Sequence, residues 1–493
     1  MIPRLFVATA SIGLSAWTYL KVRPPAGQYT SEGFKNRWPR IVWPEVTAIC
    51  AIVAGFLCVQ IPAIRVGFQY DELYTVTKFV LGKSLWYSAS VQSVFNNHFA
   101  NSIQMNLVSR VLGTSEAALR LPSLFWGTVS IAMTWMIIRI RAGIAAGLLS
   151  SMVVAAAPLF ALLSRQARGY SGLVAMTLIS LYCLLQILGG NISFRMRACH
   201  TAALALGVYF HLYGMWAVIS QYCLVGWISM RGSKARGLRE VWDDCALGGV
   251  LSFLLYLPVM IEMCLMWSGR GRTPVRWSFP NELVRELGGG LPLLLGAAVL
   301  VFCVVGGLRI RRGELIYLLL WLSIPALLVW LLLRPKDLYP RFFVFWIPPL
   351  CYLITRGVLA FAQLFRHGRV GKFIAGSACA VAAASFTAWI VSDVNSRAWD
   401  YRASTKVDAG ISRQFVAGAD SEILSYYLPR SQRVRLAELD RALSNPAPMQ
   451  VAYHSVDWQG PEEESIIAKK LRERCDFSQR DWIIVFTCNQ DRR

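Results

Sequence analysis

The sequence predicts a mainly α, polytopic membrane protein: a bundle of about 11–12 transmembrane helices, with juxtamembrane helices in the first outer loop and a small C-terminal α/β domain. Three observations predict it. Of 493 residues, 55% are hydrophobic and only 16% are charged, well below the ~25% charged content of soluble domains. Apolar runs long enough to cross a bilayer recur through the first 393 residues. Residues 394–493 carry 15 basic and 14 acidic side chains, so nearly all of the +22 net charge lies in residues 1–393, mostly in short links between apolar runs. That is how Lys and Arg are held on the cytoplasmic side of a multi-span protein. A wholly soluble protein is excluded, and nucleic acid is not an expected partner.

Each element follows from the same two rules, apolar length and basic flanks. The run Leu5 to Leu20 is short for a span, and the basic stretch Lys21, Arg23, Lys35, Arg37 and Arg40 after it reads as cytoplasmic. Val46–Ile64 then crosses outward and delivers Tyr70-Asp71-Glu72 to the outer face. Ala117–Ile138 returns, Ile144–Leu163 exits and Ser171–Leu188 returns. Ala202–Ser229 reads as two short helices turning near His211, because both its flanks are basic; one tilted helix, which would invert everything downstream, is the competing reading. Gly248–Trp267, Gly289–Leu308, Tyr317–Leu333, Phe342–Leu359 and Ile374–Val391 alternate thereafter, ending in an external tail. The expected divisions are 1–40, an apolar segment with a cytoplasmic stretch; 41–393, the membrane domain; and 394–493, an extracytoplasmic α/β domain. In the tail, Met449–Tyr453 and Trp482–Phe486 read as buried strands, and Ser465–Arg474 as a helix with Ile466, Ile467 and Leu471 on one side. Ten of the 12 cysteines lie in or beside apolar runs; Cys475 and Cys488 belong to the tail and can pair in an oxidising compartment.

Three outer segments break the positive-inside pattern: Arg165 and Arg168, residues 270–285 with Arg270, Arg272 and Arg276, and residues 334–341 with Lys336 and Arg341. Topology does not require these cations, whereas an anionic ligand would. Arginine grips phosphate in bidentate fashion; for any one of them, snorkelling to lipid headgroups is the plainer alternative.

Asp71 and Glu72 are adjacent acids directly after an outward span. Leu73, Val76, Phe79 and Val80 form an apolar stripe suited to the membrane surface, while Asp71, Thr75 and Lys78 share the other face. A carboxylate there can take a proton from an acceptor hydroxyl or ligate a divalent ion such as Mg or Mn. It can equally be an N-terminal helix charge, and spacing alone leaves both open. A second helix, Asn97–Leu112, carries Asn97, Asn101 and Gln104 in one row, with His98 and Ser102 beside it, a pattern suited to hydroxyl-rich ligands.

Several stretches also resemble a known family. They are Tyr70-Asp71-Glu72-Leu73, Asn96-Asn97-His98-Phe99-Ala100-Asn101-Ser102, and Gly113-Thr114-Ser115-Glu116-Ala117-Ala118-Leu119-Arg120-Leu121-Pro122-Ser123. Weaker echoes are Gln166-Ala167-Arg168-Gly169-Tyr170, Tyr209-Phe210-His211-Leu212-Tyr213-Gly214 and Tyr339-Pro340-Arg341-Phe342-Phe343. Over about residues 45–365 the chain resembles the polytopic GT-C glycosyltransferases, in the bacterial branch similar to protein O-mannosyltransferases and the lipid A aminoarabinose transferase. The resemblance implies transfer of a sugar from a polyprenyl-phosphate donor to a glycan, lipid or protein hydroxyl, outside a bacterial inner membrane. It implies Asp71 as the essential acid with Glu72 beside it, and Arg168 and Arg341 near the donor phosphate, joined by Lys78 and Arg165. Asn97, His98, Asn101 and His211 become candidate acceptor or sugar contacts. Asp71, Glu72 and His98 are the candidate ligands for a divalent ion. A transporter or lipid flippase, or an O-antigen polymerase or ligase, are the competing readings. Transporters usually place ionisable groups at mid-membrane and repeat one half in the other, and neither pattern is seen here.

Overall fold

The structure is a computed structural model. It describes residues 41–364, apart from 93–95, 231–236, 270–278, 288–292, 311 and 328–338. In the C-terminal part it describes 413–418, 424, 426–428, 432–433, 436–444, 449–454, 462–480 and 483–488. The expected runs at 5–20 and 374–391, and the cations Arg270, Arg272, Arg276 and Lys336, lie outside the described residues.

The first long helix, α1 (Trp43–Ala63), has proline in its first turn, where the missing N–H costs no hydrogen bond. Next comes α2 (Tyr70–Thr75), which continues as a π-helical turn over Val76–Val80, then α3 (Leu85–Ser90) and α4 (Phe99–Leu112). These form the expected juxtamembrane segment between the first two long helices. Ser115 caps α5 (Glu116–Ala142) by accepting from the Ala118 N–H. Gly143, at φ +91°, separates α5 from α6 (Ile144–Ala156), and α7 (Pro158–Ser164) leaves α6 at a 68° bend. The bend falls at Pro158, whose ring cannot continue the α6 hydrogen-bond ladder.

Beyond α8 (Tyr170–Leu188), the helices α9 (Phe194–Phe210) and α10 (Met215–Met230) meet at a 3₁₀ turn, Leu212–Gly214, as the basic flanks required. The bundle continues with α11 (Leu238–Tyr256), α12 (Met260–Gly269), α13 (Phe279–Leu287), α14 (Leu293–Leu308) and α15 (Arg312–Leu327). A 3₁₀ segment at Pro340–Trp346 then leads into α16 (Ile347–Leu364).

Among the described residues, five helical segments, at Trp43–Ala63, Glu116–Ala142, Tyr170–Leu188, Leu238–Leu265 and Pro340–Gln363, are long and apolar enough to cross a bilayer. The bent α6–α7 pair makes a sixth. The protein is an integral membrane protein. Among the described residues α9, α10, α14 and α15 have only 16 or 17 residues, below the ~20 of an untilted span.

One core joins the long helices, with Phe56, Trp135, Phe160, Tyr170, Phe210, Trp321 and Phe345 buried in it. At the end of α1 opposite Asp71, the basic residues are largely paired. Arg139 binds Glu45 within the core, Arg141 binds Glu314, and Arg197 meets Asp244 at 2.8 Å.

The tail folds around a five-stranded sheet. Its strands are β1 (Arg413–Gly418), β2 (Gln432–Arg433), β3 (Met449–His454), β4 (Asp476–Arg480) and β5 (Ile483–Cys488), in the order β2-β1-β3-β5-β4. β1 runs parallel to β2 and β3, and β5 antiparallel to β3 and β4. Helices α17 (Leu436–Ser444) and α18 (Glu462–Arg474) contribute Leu439, Ile467 and Leu471 to its core. Ile466, expected on that side, is 39% exposed. Cys475 and Cys488 form a disulfide.

The apolar stripe of α2 is not a membrane-surface face. Leu73, Val76, Phe79 and Val80 are buried in one cluster with Val416, Leu424, Leu428, Ile483 and Val485, so the C-terminal domain covers it. Tyr427 Oη accepts from the Phe68 N–H at 2.6 Å, and Tyr426 Oη donates to the Thr114 carbonyl at 2.6 Å. Apolar periodicity defines a buried face; it does not say whether lipid or protein buries it.

Candidate active site

Four segments adjoining bundle helices converge around Asp71: the start of α2, the α7–α8 link with Arg168, the α9–α10 turn with His211, and the Pro340–Trp346 segment with Arg341. The Asp71 carboxylate receives an Arg341 Nη2–H bond at 2.8 Å, and both side chains are about 30% exposed. Arg168 approaches from the other side: its Nη1 donates to the Asp71 carbonyl at 3.1 Å and to Asn96 Oδ1. Burial pushes the Asp71 carboxyl up, but the Arg168 and Arg341 charges and the Arg341 hydrogen bond outweigh it and hold it below the usual carboxylate range. Asp71 is ionised at neutral pH.

Both guanidinium groups retain capacity for an anion. Among the described residues, Arg168 Nε and Arg341 Nε are buried without a hydrogen-bond partner, although a buried donor ordinarily finds one. Arg168 also lies over the Tyr170 ring, at 5.6 Å, and Arg341 over Tyr339, at 4.4 Å.

Glu72 does something different from its neighbour. It is 1% exposed. Its Oε1 accepts from Arg120 Nε at 2.8 Å and the Ala167 N–H at 2.7 Å, and its Oε2 from Arg120 Nη2 at 2.6 Å and the Gln69 N–H at 3.0 Å. Arg120 also donates to the carbonyls of Ile64, Val66 and Gly67. This clamp fixes the α1–α2 link from α5 and leaves no free carboxylate oxygen for chemistry. The expectation of a catalytic Glu72 is corrected to a structural one. Arg165 belongs to the same buried region. Burial and the Arg120 charge lower it to about 10, so it stays cationic there.

The polar row of α4 is likewise turned inward. Asn97 Nδ2 donates to the carbonyls of Ser88 and Val91, and its Oδ1 accepts from Ser102 Oγ. Asn101 Oδ1 accepts from Ser123 at 3.3 Å, and Gln104 Oε1 from Trp126 Nε1 at 2.9 Å. Asn97 thus has protein partners on both amide atoms, whereas Asn101 keeps a buried Nδ2 without a partner among the described residues. Lys78 lies over the Tyr74 ring, 5.9 Å from its centroid.

His98 and His211 do come together, their ring centroids 4.9 Å apart and each 5.1 Å from Tyr170. Tyr213 and Phe342 close the cluster around His211, at 5.4 and 5.3 Å. His98 Nδ1 faces the Phe210 carbonyl at 3.2 Å, so that nitrogen carries the proton and Nε2 is an acceptor. His211 Nδ1 accepts the Tyr213 N–H, so its Nε2 is a donor. Burial, then the Arg168 charge, hold His98 far below the ordinary imidazole value, and burial with the same arginines lowers His211 to about 3. Both rings are neutral at pH 7. Gly169 makes this packing possible, since a Cβ there would sit 2.2 Å from the Phe210 carbonyl oxygen and 3.0 Å from His98 Nδ1.

Three participants went unrecognised in the sequence. Arg120 and Ser123 both lie in the Gly113–Ser123 stretch; Ser123 Oγ donates to the Arg168 carbonyl at 2.9 Å and so fixes the segment that carries Arg168. Glu286, on α13, is close enough to Arg341 for each to feel the other's charge, and burial raises its carboxyl; nothing in its local sequence marks it. Among the described residues, no three His, Cys, Asp or Glu side chains converge to hold a metal. The ion site envisaged on Asp71, Glu72 and His98 therefore has no ligand set: Glu72 faces Arg120, and Arg168 stands beside both Asp71 and His98.

No family model matches the sequence, and no curated protein matches it. Solved structures do share its architecture. ArnT from Cupriavidus metallidurans bound to undecaprenyl phosphate is 15% identical with a TM-score of 0.56, over 90% of this chain and 98% of that one. Its apo form gives 13% and 0.55 over 89% and 97%. The oligosaccharyltransferase AglB from Archaeoglobus fulgidus, in complex with an inhibitory peptide and a dolichol-phosphate, gives 11% and 0.51 over 92% and 75%. At such identities the likeness concerns architecture, and it extends over nearly the whole chain: the protein has the polytopic GT-C fold.

Proposed function

We propose that this protein is an integral-membrane glycosyltransferase that moves a sugar from a polyprenyl-phosphate donor to a hydroxyl acceptor. The observation that carries this reading is the pairing of one ionised, partly exposed carboxylate with two guanidinium groups whose buried Nε–H donors have no partner among the described residues. Asp71 takes the proton of the acceptor hydroxyl as its oxygen bonds to the anomeric carbon. The bond from that carbon to the donor phosphate breaks, and the phosphate leaves with the electron pair. Arg168 and Arg341 stabilise the charge that develops on it. The donor's isoprenoid chain stays in the membrane, which puts its phosphate at the helix ends where these residues meet. Neutral His98 and His211 offer one acceptor and one donor for sugar hydroxyls. The fold shared with proteins solved in complex with undecaprenyl phosphate and dolichol-phosphate supports the same donor class.

We place the site and residues 394–493 on the periplasmic side of a bacterial inner membrane, with 41–393 as the catalytic domain, on the positive-inside pattern. Membranes containing the protein should consume a polyprenyl-phosphate sugar. Asp71→Asn should slow consumption ~10²–10⁴-fold, the usual worth of general-base assistance, with protein level unchanged. Wild-type turnover by that variant would remove Asp71 from the chemistry.

A further inference from the structure

Asp71 is a weaker base while Arg341 holds one of its carboxylate oxygens, and Arg341 cannot give that Nη2 donor to a phosphate while it holds Asp71. We infer that the Asp71–Arg341 pair is a latch opened by the donor: the lipid phosphate draws Arg341 away and frees Asp71, so the donor binds before a hydroxyl acceptor can be activated. The inference rests on the donor reading above and adds the order of binding and the residue that enforces it.

The geometry favours this exchange over a permanent ion pair. The contact is a single hydrogen bond at 2.8 Å from Nη2, with both side chains about 30% exposed. Both ends of the partly exposed pair still reach water, so opening it does not strand an unpaired buried charge. Arg168 stays fixed meanwhile, because its Nη1 is anchored on the Asp71 carbonyl and Asn96 and its own carbonyl on Ser123. Arg168 is thus a stationary half of the phosphate site and Arg341 the movable half. Arg341 also sits against the Tyr339 ring and near Glu286, which keep its charge solvated by protein during the switch. A phosphate offers more acceptor oxygens than one carboxylate and takes the fork of a guanidinium in bidentate fashion, so it is the better partner for the group that moves.

The latch predicts an effect of opposite sign to that of a simple binding residue. Removing the Asp71 charge leaves Arg341 free and removes a repelling anion, so lipid phosphate should bind more tightly while transfer is lost. The test measures binding of undecaprenyl monophosphate to the detergent-solubilised full-length protein. Asp71→Asn and Asp71→Ala should each bind it on the order of three- to tenfold more tightly than wild type, and Arg341→Ala more weakly. Two side chains of different shape guard against a folding defect in either one. Unchanged or weaker binding by the soluble Asp71 variants, with wild type binding normally, overturns the latch and leaves the donor reading standing. Absence of binding by wild type overturns the donor reading, and the latch with it.

Discussion

Replacing Glu72 by glutamine separates two neighbouring carboxylates that look alike in sequence. Glu72 accepts four hydrogen bonds, two of them from the buried Arg120 guanidinium at 2.8 and 2.6 Å. Glutamine keeps one acceptor oxygen and turns an N–H₂ group toward donors that were satisfied. It also leaves the Arg120 charge, whose side chain is 5% exposed, without its counter-ion. Removing one member of a buried pair typically costs ~3–5 kcal/mol. The Asp71–Arg341 pair is about 30% exposed, so Asp71→Asn should change stability by no more than ~1 kcal/mol. Thermal unfolding of the two purified variants in one detergent, followed by size-exclusion recovery and tryptophan fluorescence, compares them directly. The expected order is a large loss for Glu72→Gln and almost none for Asp71→Asn. If Glu72→Gln unfolds like wild type while Asp71→Asn collapses, the division of labour between the two acids is reversed.

Other perturbations probe separate parts of the molecule. Gly169→Ala places a methyl 2.2 Å from the Phe210 carbonyl oxygen, which must displace the α9–α10 turn and His98 with it; donor consumption should fall and stability should drop by the ~1–3 kcal/mol of an overpacked site, and unchanged kinetics and melting would argue that this packing does not matter. His98 and His211 stay neutral in the fold well below the ordinary imidazole value. The unfolded chain therefore binds protons that the native one does not, and stability should fall as pH drops below ~6.5, by at most ~1.4 kcal/mol per pH unit for buried His98 and less for the partly exposed His211. A melting temperature flat from pH 7 to 5 would contradict this. Tyr427→Phe deprives the Phe68 N–H of its acceptor and should weaken docking of the C-terminal domain by ~1–3 kcal/mol. Amide exchange over residues 64–80 should rise in that variant, and an unaltered pattern would show that the contact is dispensable.

How much of the molecule is legible from its sequence depends on the range of the interactions involved. The long helices, the α9–α10 break and the tail strand at Met449 are readable because apolar periodicity and flanking charge are local properties of the chain. Asp71, Arg168 and Arg341 are likewise legible as charges at helix ends, where topology gives them no reason to be. The α4 row misleads because an inward-facing amide and a ligand-facing amide have the same periodicity. That Asn97 and the Asn101 oxygen face Ser88, Val91 and Ser123 is visible only in the fold, which brings those atoms beside them.

A mainly helical membrane bundle with cations at one end that topology does not require is thus written in the chain itself, since hydrophobic length and charge placement need no partner to act. Which of two adjacent acids is free is a matter for the folded molecule. Asp71 and Glu72 have nearly the same chemistry and are a single residue apart, but Arg120 arrives from α5, 48 residues along the chain, and encloses one of them. The other is left partly open beside two arginines contributed by distant segments. Whether a carboxylate is a scaffold or a reagent is set by the donors that reach it, and those are brought by the fold.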